Sequence, residues 1–151
     1  MTRVVIPWRH DDHRAPLLEF VLEWWQTRHP SWAVALADTP GEWSKASAIN
    51  RAAAEIEGIV VVADADVWCD SIGDAVEAVE AGAGWAVPHR MVHRLNRRAT
   101  RLVLDGAQPG RFYFGDGLAE RPYVGVVGGG MLVVPASALR EVPFDERFVG
   151  W

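Results

Sequence analysis

Two carboxylates one residue apart, Asp64-Ala65-Asp66, follow directly on the apolar run Ile59-Val60-Val61-Val62-Ala63. Paired hard oxygen donors at the end of a buried strand suit Mg²⁺ or Mn²⁺ bridging to a diphosphate. A cation held there would neutralise the charge that builds on a phosphate leaving group. A plainer arrangement uses the same residues: Asp64 ends a strand and Asp66 sits in a solvated turn. Other polar residues follow short apolar runs in the same way. Arg9 comes after Val4-Val5-Ile6-Pro7-Trp8, Asp38 after Trp32–Ala37, and His89 after Trp85-Ala86-Val87-Pro88.

The elements that must position these residues can be read from periodicity. Arg3–Trp8 is short, apolar and β-branched, which predicts a strand. Ala15–Thr27 spaces Leu17, Leu18, Val21, Leu22, Trp24 and Trp25 as a helix does, with Pro16 suited to its first turn. Trp32–Ala37 predicts a second strand and Ser44–Ile56 an Ala-rich helix. Ile59–Ala63 is continuous enough to be buried on both faces of a parallel sheet. Ser71 and Asp74 resemble a capping box opening a helix that runs to about Ala81 and closes at Gly82. Trp85–Val87, Tyr123–Val127 and Met131–Val134 read as strands, residues 89–117 as irregular or weakly helical, and Ala136–Glu141 as one or two helical turns. Strands alternating with helices predict an α/β fold with a mostly parallel sheet, whose ligand lies at the carboxyl ends of the strands.

Composition narrows the function classes. The chain has 151 residues, half of them apolar and 23% charged, which is ordinary globular material. A net charge of −5 argues against a nucleic-acid binder that uses its whole surface. The lone cysteine, Cys69, excludes an internal disulfide framework and a Cys-cluster zinc site. No apolar run reaches the roughly 18–20 residues of a membrane span. With no signal-peptide pattern, the expected compartment is cytoplasmic.

Other candidates have plainer readings beside the functional ones. His89 and His93, four apart, would share a helix face, yet no third ligand is nearby and surface histidines suffice. His10 and His13 flank Asp11 and Asp12, as in a solvated loop capping the first helix. Residues 81–104 contain no acid but include Arg90, Arg94, Arg97, Arg98 and Arg101. That patch reads as a solvated helix face, or as a contact to a phosphate-bearing donor or an anionic or nucleic-acid acceptor. Of the eight tryptophans, Trp24 and Trp25 read as core, while Trp8, Trp43 and Trp151 could line a sugar or base pocket.

The D-x-D pattern also occurs after an apolar strand in haloacid-dehalogenase-like phosphatases. Those want Thr or Val two places after the second Asp, where this chain has Trp68, and they usually place the motif in the opening strand. The whole ordered set fits another family. Ile6-Pro7-Trp8-Arg9, then Trp43-Ser44-Lys45-Ala46 with Asn50, then Asp64-Ala65-Asp66, then Gly128-Gly129-Gly130-Met131, then Pro143–Trp151 resembles a GT-A fold glycosyltransferase. The likeness is to the galactosyltransferase and N-acetylgalactosaminyltransferase C-terminal-domain type and covers nearly the whole chain.

The resemblance implies a GT-A, Rossmann-like three-layer sandwich in one domain over residues 1–151. It implies a metal-dependent transfer of sugar from a nucleotide diphosphate donor, UDP-linked, to an unknown acceptor, with Mn²⁺ or Mg²⁺ as cofactor. It puts Pro7, Trp8, Arg9, Lys45 and Asn50 at the nucleotide, and Asp38 more loosely on the base. Asp66 becomes the direct metal ligand and Asp64 a second one nearer the ribose. Gly129, Gly130 and Trp151 border the sugar. The family's general-base acid follows the Gly-Trp that ends this chain, so the domain is expected to be incomplete at its C-terminus. A module that binds nucleotide-sugar without turnover is the alternative.

Overall fold

The computed structural model describes residues 1–107, 123–124 and 130–149. It contains two compact units, Met1–Pro88 with Gly130–Trp151, and His89–Gly129. In chain order the elements of the first unit are β1 (Thr2–Pro7), α1 (Ala15–Arg28), β2 (Ala33–Ala37), α2 (Lys45–Ala54), β3 (Ile59–Ala63) and α3 (Ile72–Glu80). The second unit then contributes β4 (Met91–Val92), α4 (Arg97–Leu104) and β5 (Tyr123–Val124). The chain returns to the first unit with β6 (Met131–Pro135) and α5 (Ala136–Glu141).

The sheet of the first unit has the order β2-β1-β3-β6. β1 pairs parallel with β2 and with β3, and β6 runs antiparallel beside β3 with Ala63 opposite Met131. The chain therefore moves outward from β1 to β2 and then returns across β1 to β3. If both crossovers keep one hand, this reversal puts their helices on opposite faces. The packing agrees. Val4, Ile6, Val61 and Val133 bury one sheet face beneath α1 and α3, through Val21, Trp25, Ile72 and Val76. Val5, Val60, Val62 and Val134 bury the other beneath α2 and α5, through Ile49, Ala53 and Leu139. The period-2 alternation of β1 and β3 thus feeds two cores, and the unit is a three-layer α/β sandwich.

Trp25 anchors the first core at 0% exposure, with Trp24 edge-on at 4.8 Å. Removing such an indole costs about 3–5 kcal/mol. His29 follows α1 and stacks on Trp32 at 4.0 Å. Burial, and then the charge of Arg28, holds its imidazole below its ordinary value of 6.5. No helix among the described residues is long and apolar enough to cross a membrane.

Several expectations need correction. Ser71 does not cap α3; its hydroxyl donates to the Pro88 carbonyl at 2.9 Å. Trp85–Val87 is not a strand. Only Ala86 pairs, with Val133, and Trp85 is 60% exposed. Residues 89–107 hold more order than expected, in β4 and in α4, whose N-cap Asn96 accepts from the Ala99 amide at 3.0 Å, while residues 108–117 of that span lie outside the described residues. Because Met91 and Val92 are extended, His89 and His93 do not share a helix face. Of Tyr123–Val127, only residues 123–124 are described, as β5.

Candidate functional site

The strand order reverses between β1 and β3, and in open α/β sheets the carboxyl ends beside such a point are the usual ligand position. β1 ends in the buried Pro7, and the next residue, the buried Trp8, donates from its amide to the Ala37 carbonyl at the end of β2 at 2.8 Å. This bond fixes where the chain leaves the sheet and so aims Arg9. The Arg9 guanidinium donates to Asp38 Oδ1 at 2.8 Å, to the Gly41 carbonyl at 2.8 Å and to the Thr39 carbonyl. It also lies over the Trp43 ring, 5.3 Å from its centroid. Asp38 accepts in turn from the Thr39 amide at 2.7 Å. The bonds from Arg9, then that from Thr39, hold the Asp38 carboxyl below its ordinary value of 3.8. Sequence reasoning put Arg9, Asp38 and Trp43 near one another in function, and the structure joins them in one cluster.

A second cluster surrounds the D-x-D. Ser44 caps α2 by accepting from the Ser47 amide at 3.2 Å, and this sets Lys45 on the first turn. Lys45 Nζ donates to Asp64 Oδ1. Gly130, just before β6, accepts from the Asp64 amide at 2.8 Å and has φ of +66°. A Cβ on Gly130 would stand 2.8 Å from Asp64 Oδ2, so only glycine leaves that carboxylate its place.

Asp66 has a partner that spacing did not reveal. Arg14, at the N-cap of α1, reaches Asp66 Oδ2 at 3.4 Å and lies over the Trp8 ring at 5.7 Å. Asp11 holds that turn, its Oδ1 accepting from the amides of His13 and Arg14 at 2.8 and 3.3 Å. The loop is solvated as expected, with His10 and Asp12 paired in solvent, but no side chain of it caps the first helix: the N-cap residue Arg14 makes no side-chain cap bond, and Asp11 only closes the turn before it. The side chains of both carboxylate pairs are 24–40% exposed. Ion pairs this open contribute about 0–1 kcal/mol, so a ligand can exchange them.

Asn50 is brought to a different place from Lys45. Its amide donates to the Phe144 carbonyl and to Glu146 Oε1, each at 2.9 Å, and accepts from the Phe144 amide at 3.0 Å. Ser44 Oγ adds a bond to the Phe148 carbonyl at 3.3 Å. The start and middle of α2 thus hold the segment that follows α5. Cys69 is free and half-buried, its Sγ 3.3 Å from the Pro88 carbonyl. Gly128, Gly129 and Trp151 lie outside the described residues. Of the arginine patch, Arg90, Arg94, Arg97, Arg98 and Arg101 are exposed and belong to the second unit.

The donor set fits a divalent cation. Two carboxylate oxygens already attract an ammonium and a guanidinium, and hard oxygens suit Mg²⁺ or Mn²⁺. Among the described residues no group of three or more His, Cys, Asp or Glu forms a cage. A cation here would take two carboxylate ligands from Asp64 and Asp66 among the described residues, as Mg²⁺ sites built on one or two carboxylates do.

No protein-family model matches the chain, and no curated protein matches it by sequence. A solved structure does. It is a crystal structure of a mutant Drosophila β-1,4-galactosyltransferase 7 in complex with manganese, UDP-Gal and xylobiose. The two are 16% identical with a TM-score of 0.56, over 99% of this chain and 55% of that one. The fold is GT-A. This chain spans about half the length of that galactosyltransferase. The GT-A sandwich, with its mostly parallel sheet, is the fold that the ordered motifs implied.

Proposed function

We propose that this chain is the donor-binding domain of a metal-dependent glycosyltransferase that uses a nucleotide diphosphate sugar, with UDP as the nucleotide. The observation that carries this reading is the charge cluster at the carboxyl ends of β1 and β3, where Asp64 and Asp66 each hold a cation from another element. The solved neighbour, complexed with manganese and UDP-Gal, supports the same reading.

Each residue then has a task. Arg9, fixed by Asp38 and stacked on Trp43, offers a flat, rigid wall for the base and ribose. Asp66 and Asp64 hold Mn²⁺ or Mg²⁺. When bound, the cation supplies charge neutralisation to the departing nucleoside diphosphate. Lys45 stands beside Asp64, within reach of the same phosphates. Gly130 keeps the backbone low where the sugar would pass, and Gly129 and Trp151 belong to that border by resemblance. Asn50 acts through the chain it holds, positioning residues 144–146 rather than touching nucleotide.

The test is calorimetric titration of UDP into the chain with Mn²⁺ and again with EDTA. Binding that needs the metal and disappears in Asp66→Ala supports the reading. UDP binding that is indifferent to metal and to Asp66→Ala overturns it.

A further inference from the structure

Arg14 and Lys45 share an unusual position. Arg14 is the N-cap of α1 and Lys45 the first residue of α2, and neither helix carries an acid in its first turn. Helix N-termini carry partial positive charge and disfavour cations. Two long helices therefore both place a cation at the wrong end, and both cations turn toward the D-x-D: Lys45 to Asp64, Arg14 to Asp66. The quartet is neutral, with two cations against two carboxylates.

Resting on the donor-site reading above, we propose that Arg14 and Lys45 are exchangeable counter-ions. They pass from the carboxylates to the nucleotide diphosphate when a divalent cation takes Asp64 and Asp66. Arg14 thereby becomes a diphosphate-binding residue. Its contact with Asp66 is long, at 3.4 Å, while its stacking over Trp8 keeps the guanidinium in place after that contact is given up. Charge makes the exchange mutual. A divalent cation alone would leave Arg14 and Lys45 unneutralised beside it. A diphosphate alone would meet two carboxylates. Together they nearly cancel, so metal and nucleotide must each raise the other's affinity by the same factor.

The experiment follows free Mn²⁺ by its electron paramagnetic resonance signal, titrated into the chain with and without saturating UDP. A protein-free control removes the Mn²⁺–UDP complex. In the wild type, Mn²⁺ binds at least tenfold more tightly with UDP. Arg14→Gln binds Mn²⁺ alone at least as tightly as wild type, because a competitor is gone, yet binds UDP with Mn²⁺ tenfold more weakly. Arg14→Lys, which keeps the charge, stays within threefold of wild type in both, and melting curves confirm that all variants fold. If Arg14→Gln instead weakens Mn²⁺ alone, or leaves UDP binding within twofold, Arg14 merely orients Asp66 and the inference fails while the donor site stands. Wild-type chain that binds neither Mn²⁺ nor UDP overturns the donor-site reading together with it.

Discussion

Gly130 and Asp64 are tied by one hydrogen bond and one close fit. The Asp64 amide donates to the Gly130 carbonyl at 2.8 Å, and the absent Gly130 side chain leaves the space that Asp64 Oδ2 fills. The turn before β6 therefore sets the orientation of the first carboxylate of the D-x-D, although the two residues lie far apart in sequence.

That relationship predicts the effect of Gly130→Ala. The φ of +66° is costly for alanine, and its Cβ would press on the carboxylate. A loss of about 1–2 kcal/mol in stability is expected from the left-handed backbone alone. Metal-dependent UDP binding should fall more than tenfold, because Asp64 must turn away. Urea unfolding and calorimetry measure the two effects separately. Stability lost with UDP affinity intact would dissociate Gly130 from the site.

Asn50→Ala removes three hydrogen bonds to residues 144–146 and strands the Phe144 amide and carbonyl. Hydrogen bonds of this half-exposed kind contribute about 0.5–1.5 kcal/mol each. The expected signature is local: faster amide exchange in residues 144–148 with α2 and β3 still protected. Uniform protection across that segment would show that it does not depend on Asn50.

Asp38 gives a pH prediction. Its folded-state value lies below the ordinary 3.8, so its contribution is present above the unfolded value and is lost as pH falls through the folded one. The Arg9–Asp38 clamp should accordingly leave UDP affinity flat from neutral pH down to about pH 5. Asp38→Asn, which keeps the shape but weakens the charge on Arg9, should lower affinity several-fold across that range. A drop in wild-type affinity that Asp38→Asn abolishes, centred above pH 5, would contradict the assignment.

His29 works in the same direction at higher pH. Its folded value lies below 6.5, so below that pH the unfolded chain binds a proton that the folded chain resists. Melting temperature should fall as pH drops from 7 through 6. His29→Phe, which keeps a ring against Trp32, should flatten that dependence. An unchanged slope in the variant would assign it to other groups.

What the sequence displayed, and what it hid, follow from the range of each interaction. Ile59–Ala63 is legible because a β-branched apolar run buried on both faces has few alternatives. The antiparallel direction of β6 is not, since Met131–Pro135 reads the same in either sense. α4 hid because Arg97, Arg98 and Arg101 leave it only a narrow apolar stripe, and just Ala99 and Val103 are buried. Ser71 looked like a cap until Pro88, distant in sequence, offered its carbonyl. In the candidate site, Arg9, Asp38 and Asp64 stood out because each follows the end of an apolar strand, and Lys45 through its motif resemblance. Arg14 did not, because its link to Asp66 joins two loops across two crossovers. The opposition of two cations at helix N-termini to a D-x-D is the signal that could have found it.

In the proposed site, Asp66 and Asp64 hold a divalent cation on a nucleotide diphosphate at the ends of β1 and β3. The most direct measurement is a crystal of the chain grown with UDP and Mn²⁺, with an anomalous difference map at the manganese edge. One manganese peak bonded to Asp66 is expected, with the diphosphate bridging to it and Arg14 and Lys45 turned onto phosphate oxygens. A manganese peak elsewhere, or UDP seated away from the β1 and β3 ends, would contradict it.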